Sequence, residues 1–142
     1  MTAKGIIGTI VLVSLGILAA ACGGSGETAS GLKAIDDKKV GENLTVAISN
    51  PEGKLGMGEQ EIGLKFTDGS GNPVEISAAS LNFNMPAMGS MAEMNDAATL
   101  NTTSTPGEFT GTVNIQMAGE WIAQISYEGK ETGKTTMTVT AY

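Results

Sequence analysis

The sequence predicts an all-β protein, an immunoglobulin-like antiparallel β-sandwich of about seven strands, and three observations support this fold class. Short runs alternate apolar residues with polar or small ones, which is the period of a strand with one buried face. Clusters of Gly, Pro, Asn and Asp separate these runs and are typical of turns. No stretch of the chain carries apolar residues at the helical spacing.

The alternating runs follow one another along the chain and predict the strands in order. Turn-forming clusters lie at 68–73 and at 106–107, where Gly permits positive φ and Pro fixes the chain direction. Aromatic residues make up only 4% of the sequence, so we expect a core of aliphatic side chains and Met around Trp121. The runs that predict strands are 44–48, 62–66, 81–85, 109–115, 121–127 and 137–141.

The first 21 residues have the three parts of a bacterial lipoprotein signal peptide. Lys4 is followed by an apolar stretch over 5–18 and by three alanines at 19–21. Cys22 comes next and is expected to become the first mature residue and to carry lipid. An uncleaved N-terminal membrane anchor is the alternative. Both interpretations place the remaining chain outside the cytoplasm, attached to an inner or outer membrane or to a single cell membrane.

The mature chain is expected to hold one domain behind a tether. Residues 22–40 contain the lipidated Cys22 and a small, polar and charged segment without a sustained period, which predicts a flexible tether. Residues 41–142 contain the alternating runs and are expected to form the sandwich. Their length suits a single domain with one hydrophobic core.

Composition excludes several classes of function. The chain has no His and one Cys, so it lacks the residues for Ser-His-Asp or Cys-His catalysis, for an internal disulfide and for a thiolate zinc site. We therefore expect no enzymatic activity. Fifteen acidic residues against eight basic ones give a net charge of −7, which argues against binding of nucleic acid.

Methionines are concentrated in one segment of the chain. Met85, Met88, Met91 and Met94 recur at every third position, and Met117 lies further along. Thioether sulfur is neutral and soft, and it suits Cu(I). Since His and the Cys thiol are not available, the sequence predicts that these five methionines are the candidate Cu(I) ligands.

Other interpretations of the same residues remain open. A Met-rich segment also serves as flexible packing over a core, or as an adaptable apolar patch for a protein partner. Trp121 lies close to Met117 in sequence and is a candidate cation–π cap for a bound ion, although a plain core aromatic is the alternative. Glu93 and Glu120 are candidates to offset the charge of the ion.

Five motifs, in order and spacing, resemble the YtkA-like domain, which is related to the FixH-like proteins. The resemblance covers residues 44–128, and the Met-Pro-x-Met element at 85–88 is its most specific part together with Met117 and Trp121. The motifs lie at 51–53, 68–74, 85–88, 106–111 and 117–121.

The resemblance implies an immunoglobulin-like sandwich in a secreted or membrane-attached protein and a role in copper handling. It assigns Met85, Met88 and Met117 to the copper-binding positions. The implied partner is a copper transporter or an oxidase-assembly protein in the membrane. A protein-interaction or structural envelope module without metal is the alternative function.

Overall fold

A computed structural model describes residues 31–142, and within them the chain forms nine β-strands and no helix. No helix in this part of the chain is long and apolar enough to cross a membrane. The predicted signal peptide at 1–21 and Cys22 lie outside the described residues. The strands are β1 Lys33–Val40, β2 Leu44–Asn50, β3 Gly58–Thr67, β4 Ile76–Met85, β5 Met94–Ala97, β6 Thr99–Thr102, β7 Glu108–Ile115, β8 Gly119–Gly129 and β9 Gly133–Ala141.

The strands form two antiparallel sheets that pack face to face. One sheet has the order β1-β2-β3-β7-β6, and the other has the order β5-β4-β8-β9. Alternate residues of both sheets point inward, so that Leu44, Val46 and Ile48 are fully buried on β2. The predicted all-β antiparallel sandwich is confirmed.

The core has the composition that the sequence predicts. Trp121, Phe66 and Phe83 are the largest side chains that are fully buried, and they are surrounded by aliphatic residues. Phe66 contacts Phe109 edge to face, with ring centroids 6.2 Å apart. Met85 and Met137 also belong to the core.

Two details of the predicted organisation differ in the structure. The tether was expected to reach residue 40, but Lys33–Val40 forms β1 and pairs with β2. Nine strands are present because β1 and two strands of four residues each, β5 and β6, add to the six predicted runs. These three strands bury few side chains and all lie at sheet edges, so backbone pairing holds them without an apolar alternation in the sequence.

The turn between β3 and β4 is organised by the Asp68 carboxylate. It accepts backbone hydrogen bonds from Ser70 (2.8 Å) and Asn72 (2.9 Å). These two bonds hold the pKa of Asp68 below its ordinary value, and the bond from Asn72 has the larger effect. The predicted turn at 68–73 is confirmed.

Asp68→Asn is expected to remove a stabilising charge while it keeps a side-chain oxygen as acceptor. A lowered folded pKa means that the ionised carboxylate stabilises the fold above its unfolded pKa, and that this contribution is lost as the pH falls through the folded pKa. Urea unfolding midpoints should therefore differ between wild type and variant at about pH 6 and converge at about pH 2. An equal difference at both pH values would contradict this role.

Candidate functional site

Most of the methionines lie at one end of the sandwich. β4 ends at Met85, the hairpin 86–93 follows, and β5 begins at Met94. The loop 116–118, which joins β7 to β8, lies at the same end. The β2–β3 loop at 51–57 also lies there, because Gly58 is paired with Ile115. We call this region, formed by 51–57, 86–93 and 116–118 with the adjoining strand ends, the methionine end.

An exposed pair of methionines forms the tip of the hairpin. Met88 and Met91 exchange two backbone hydrogen bonds, of 3.1 and 2.9 Å, across the two-residue turn Gly89-Ser90. Gly89 has a φ of 58°, which is the positive value that a type II′ turn requires at its first position. Directly opposed residues share one face of a hairpin, so both thioethers leave the backbone on the same side. Their side chains are 62% and 41% exposed.

A second pair of methionines lies at the base of the hairpin. Met85 and Met94 are directly opposed in the β4–β5 ladder. Met85 is only 3% exposed and belongs to the core, whereas Met94 is half-buried and packs against it. The structure therefore separates the candidates into an exposed pair at the tip and a largely covered pair beneath it.

Met117 is held in place by its neighbours on both sides. The Asp96 carboxylate accepts hydrogen bonds from the backbone N–H (3.0 Å) and the side-chain amide (2.6 Å) of Gln116, which fastens β5 to the 116–118 loop. The Met117 carbonyl accepts a bond of 3.0 Å from the indole N–H of Trp121. Its side chain is half-buried against the core.

Trp121 and Met85 are neighbours on the inner face. The β4–β8 register pairs Asn84 with Ile122, and its next step places Met85 opposite Trp121. The Met85 methyl also lies 3.0 Å from the position that a Cβ on Gly119 would take. Because Trp121 is fully buried, the structure favours its role as a core aromatic over the predicted cation–π cap.

The two glutamates proposed to balance a bound charge are both exposed at this end. Glu93 accepts a hydrogen bond of 2.6 Å from the Asn84 side-chain amide, so its carboxylate is held against the outer face of β4. Glu120 is the second residue of β8 and points away from the core. Among residues 31–142, no group of three or more His, Cys, Asp or Glu is arranged to hold a metal ion.

Sequence reasoning did not place two residues that the structure brings to this end. Met57 stands alone in the sequence, yet it is 60% exposed in the β2–β3 loop and donates a backbone hydrogen bond to the Tyr142 carbonyl. Asp96 gave no signal because its partner, Gln116, is 20 residues away in the chain. Both placements depend on strand order, which single motifs do not encode.

Comparison with known families decides the membership of this chain. The sequence profile of the YtkA-like family matches residues 38–126, which is more than half of the chain. The chain belongs to the YtkA-like family. This YtkA-like domain matches no curated protein and no solved structure. The matched range runs from β1 into β8 and includes all five candidate methionines.

The two kinds of methionine are expected to differ in their effect on stability. Met85→Ala removes a buried side chain from the core and is expected to lower the free energy of unfolding by about 2–5 kcal/mol. Met88→Ala removes an exposed side chain and is expected to change it by less than about 0.5 kcal/mol. Urea unfolding followed by circular dichroism measures both values. Equal losses in the two variants would contradict the separation of tip and base.

Proposed function

We propose that this YtkA-like protein is a membrane-anchored, extracytoplasmic Cu(I)-binding lipoprotein that buffers copper or hands it to a membrane partner. The observation that carries the proposal is the exposed Met88–Met91 pair, which two backbone hydrogen bonds and a glycine turn hold on one face of a hairpin. Two thioether side chains therefore leave opposed backbone positions on the same side of the hairpin and are exposed to solvent.

Cu(I) favours soft sulfur ligands, so the pair needs further thioethers from nearby. Met94 and Met117 are half-buried at the same end and are the candidates that can turn toward the tip at least cost. Met85 is a core residue, and its sulfur becomes a ligand only if its side chain leaves the core. The proposed ligands are therefore, in order of preference, Met88 and Met91, and then Met94 and Met117. Met85 lies beneath them in the core and is the last candidate.

The chemistry of the ligands suits transfer. A thioether carries no proton at neutral pH, so ligand exchange with a partner requires no proton transfer. Glu93 and Glu120 are exposed near the hairpin and the 116–118 loop and supply negative charge against the cation that neutral ligands leave uncompensated. Because the thioethers of Met88 and Met91 are exposed, a ligand from the partner can reach the bound ion directly.

An interaction module without metal is the second candidate. Apolar side chains exposed at the tip of a hairpin also form a contact surface for a protein, and Met adapts well to such surfaces. Both functions use Met88 and Met91, but only the first requires sulfur. Replacement of Met by Leu keeps the apolar surface and removes the ligand atom, so it separates the two.

Anaerobic titration of the full chain with Cu(I), in competition with a coloured Cu(I) chelator, tests the proposal. We expect the wild-type chain to take copper from the chelator. The double variant Met88→Leu/Met91→Leu should bind at least about tenfold more weakly, which equals roughly 1.4 kcal/mol of binding free energy.

Met57→Leu is the matched control, because Met57 is as exposed as Met88 (60% against 62%) but lies outside the hairpin. Its affinity should equal that of wild type. The copper function is wrong if wild type takes up no Cu(I), or if the double variant and the control behave alike.

A further inference from the structure

The chain enters the sandwich at the methionine end. β1 begins at Lys33, which is paired with Asn50, the last residue of β2. Leu32 is buried at 2% exposure, and its side chain packs over the backbone of Gly63. The point of entry is therefore fixed to the body of the domain at this end.

The predicted lipid anchor is close to this entry point along the chain. Gly31, the first described residue, follows Cys22 by nine positions in the chain. Nine residue steps span at most about 30 Å, even when fully extended. The ten residues of β3 make the long axis of the sandwich about 33 Å. The short connection therefore favours an orientation with the methionine end toward the lipid.

The exposed apolar side chains gather at the same end. The large hydrophobic residues that are exposed within residues 31–142 are Met57, Met88, Met91 and Tyr142. Tyr142 follows β9 and contacts the β2–β3 loop through hydrogen bonds with Leu55 and Met57. Turns at the opposite end, such as 68–73, expose no large hydrophobic side chain.

This surface is acidic around its apolar centre. Four glutamates and two lysines are exposed there, so negative charge prevails: Glu52, Glu59, Glu93, Glu120, Lys33 and Lys54. A membrane that contains anionic lipid repels such a rim, whereas a protein with cationic groups around an apolar patch complements it.

We propose that the anchor holds the methionine end toward the membrane and that this end docks onto the extracytoplasmic face of an integral membrane protein. The contact places apolar and thioether groups at its centre and pairs the glutamate rim with cationic side chains of the partner. The proposal rests on the lipid anchor of the proposed function, but it does not require that copper is bound.

Energy transfer to labelled lipid tests the orientation. The lipidated chain, in phosphatidylcholine vesicles with acceptor-labelled headgroups, carries one donor dye at Ser90→Cys or at Ser70→Cys. Ser90 lies at the hairpin tip and Ser70 in the turn at the opposite end. We expect a greater loss of donor emission at position 90. Equal or greater loss at position 70 would overturn the orientation.

Site-specific cross-linking in the native membrane tests the occupant. A benzophenone amino acid at position 90 should give an adduct with a membrane-spanning protein, and this adduct should be absent for position 70 and for the Cys22→Ser chain. An adduct with lipid alone would identify the bilayer as the occupant and overturn the protein partner. Neither measurement reads copper, so a chain that fails the Cu(I) titration leaves the docking proposal standing.

Discussion

Trp121→Ala is expected to lower the free energy of unfolding by about 3–5 kcal/mol, the range for loss of a large buried aromatic. Trp121 is fully buried on β8, which lies between β4 and β9 in its sheet. Its removal leaves a cavity next to Met85. The backbone of β8 cannot move in to close this cavity, because β8 is paired with β4 on one side and β9 on the other. It also leaves the Met117 carbonyl without its donor.

Urea unfolding followed by circular dichroism measures this loss. Trp121→Phe is the matched variant, because it keeps a large aromatic ring and removes the indole N–H. Its loss should be smaller and should reflect mainly the missing hydrogen bond, with a net value of about 0.5–1.5 kcal/mol. If Trp121→Ala were as stable as Trp121→Phe, the ring would not be the main filling of this end of the core.

Gly111→Ala is expected to destabilise the protein by about 1–3 kcal/mol or more, because it places a methyl group where the next strand runs. Gly111 lies on β7, paired with Ile62 of β3 and Leu100 of β6. A Cβ at this position would collide with the Thr99 carbonyl oxygen and lie 2.7 Å from the Thr99 carbonyl carbon. The obstacle is backbone, so β6 must move away from β7.

Gly56→Ala is the control for this substitution. A Cβ on Gly56 meets no atom within 4 Å, and its backbone is outside the left-handed region. The control should change stability by less than about 0.5 kcal/mol in the same urea experiment. Hydrogen exchange of the β6 amides should rise in Gly111→Ala and not in Gly56→Ala. Unchanged exchange in Gly111→Ala would contradict the steric explanation.

Strands with one buried face could be predicted from the sequence, and strands without one could not. β2, β3, β4, β7, β8 and β9 each bury alternate apolar side chains, which is the signal that period-two reading detects. β1 carries charged residues on both faces, and backbone hydrogen bonds to β2 hold it in the sheet. Backbone hydrogen bonds form with almost any residue type, so the sequence carries no pattern that predicts them.

The candidate site was predicted as a set of residues but not as an arrangement. The spacing of three identified the Met segment. That spacing does not show which sulfur is buried, because the outcome depends on where β4 ends and the hairpin begins. Met85 is the last inward residue of β4, while Met88 is already part of the turn. Met57 joins the same end only through strand order.

The hydrogen bond between Trp121 and Met117 has a consequence for experiments on this protein. Trp121 is the single tryptophan of the chain, and its indole N–H is bound to the backbone of a candidate ligand. Its fluorescence is therefore an intrinsic probe of the 116–118 loop, with no label to attach. A heavy closed-shell ion such as Ag(I) quenches indole emission at short range. Binding of such an ion near Met117 is therefore expected to lower the Trp121 fluorescence of the wild-type protein.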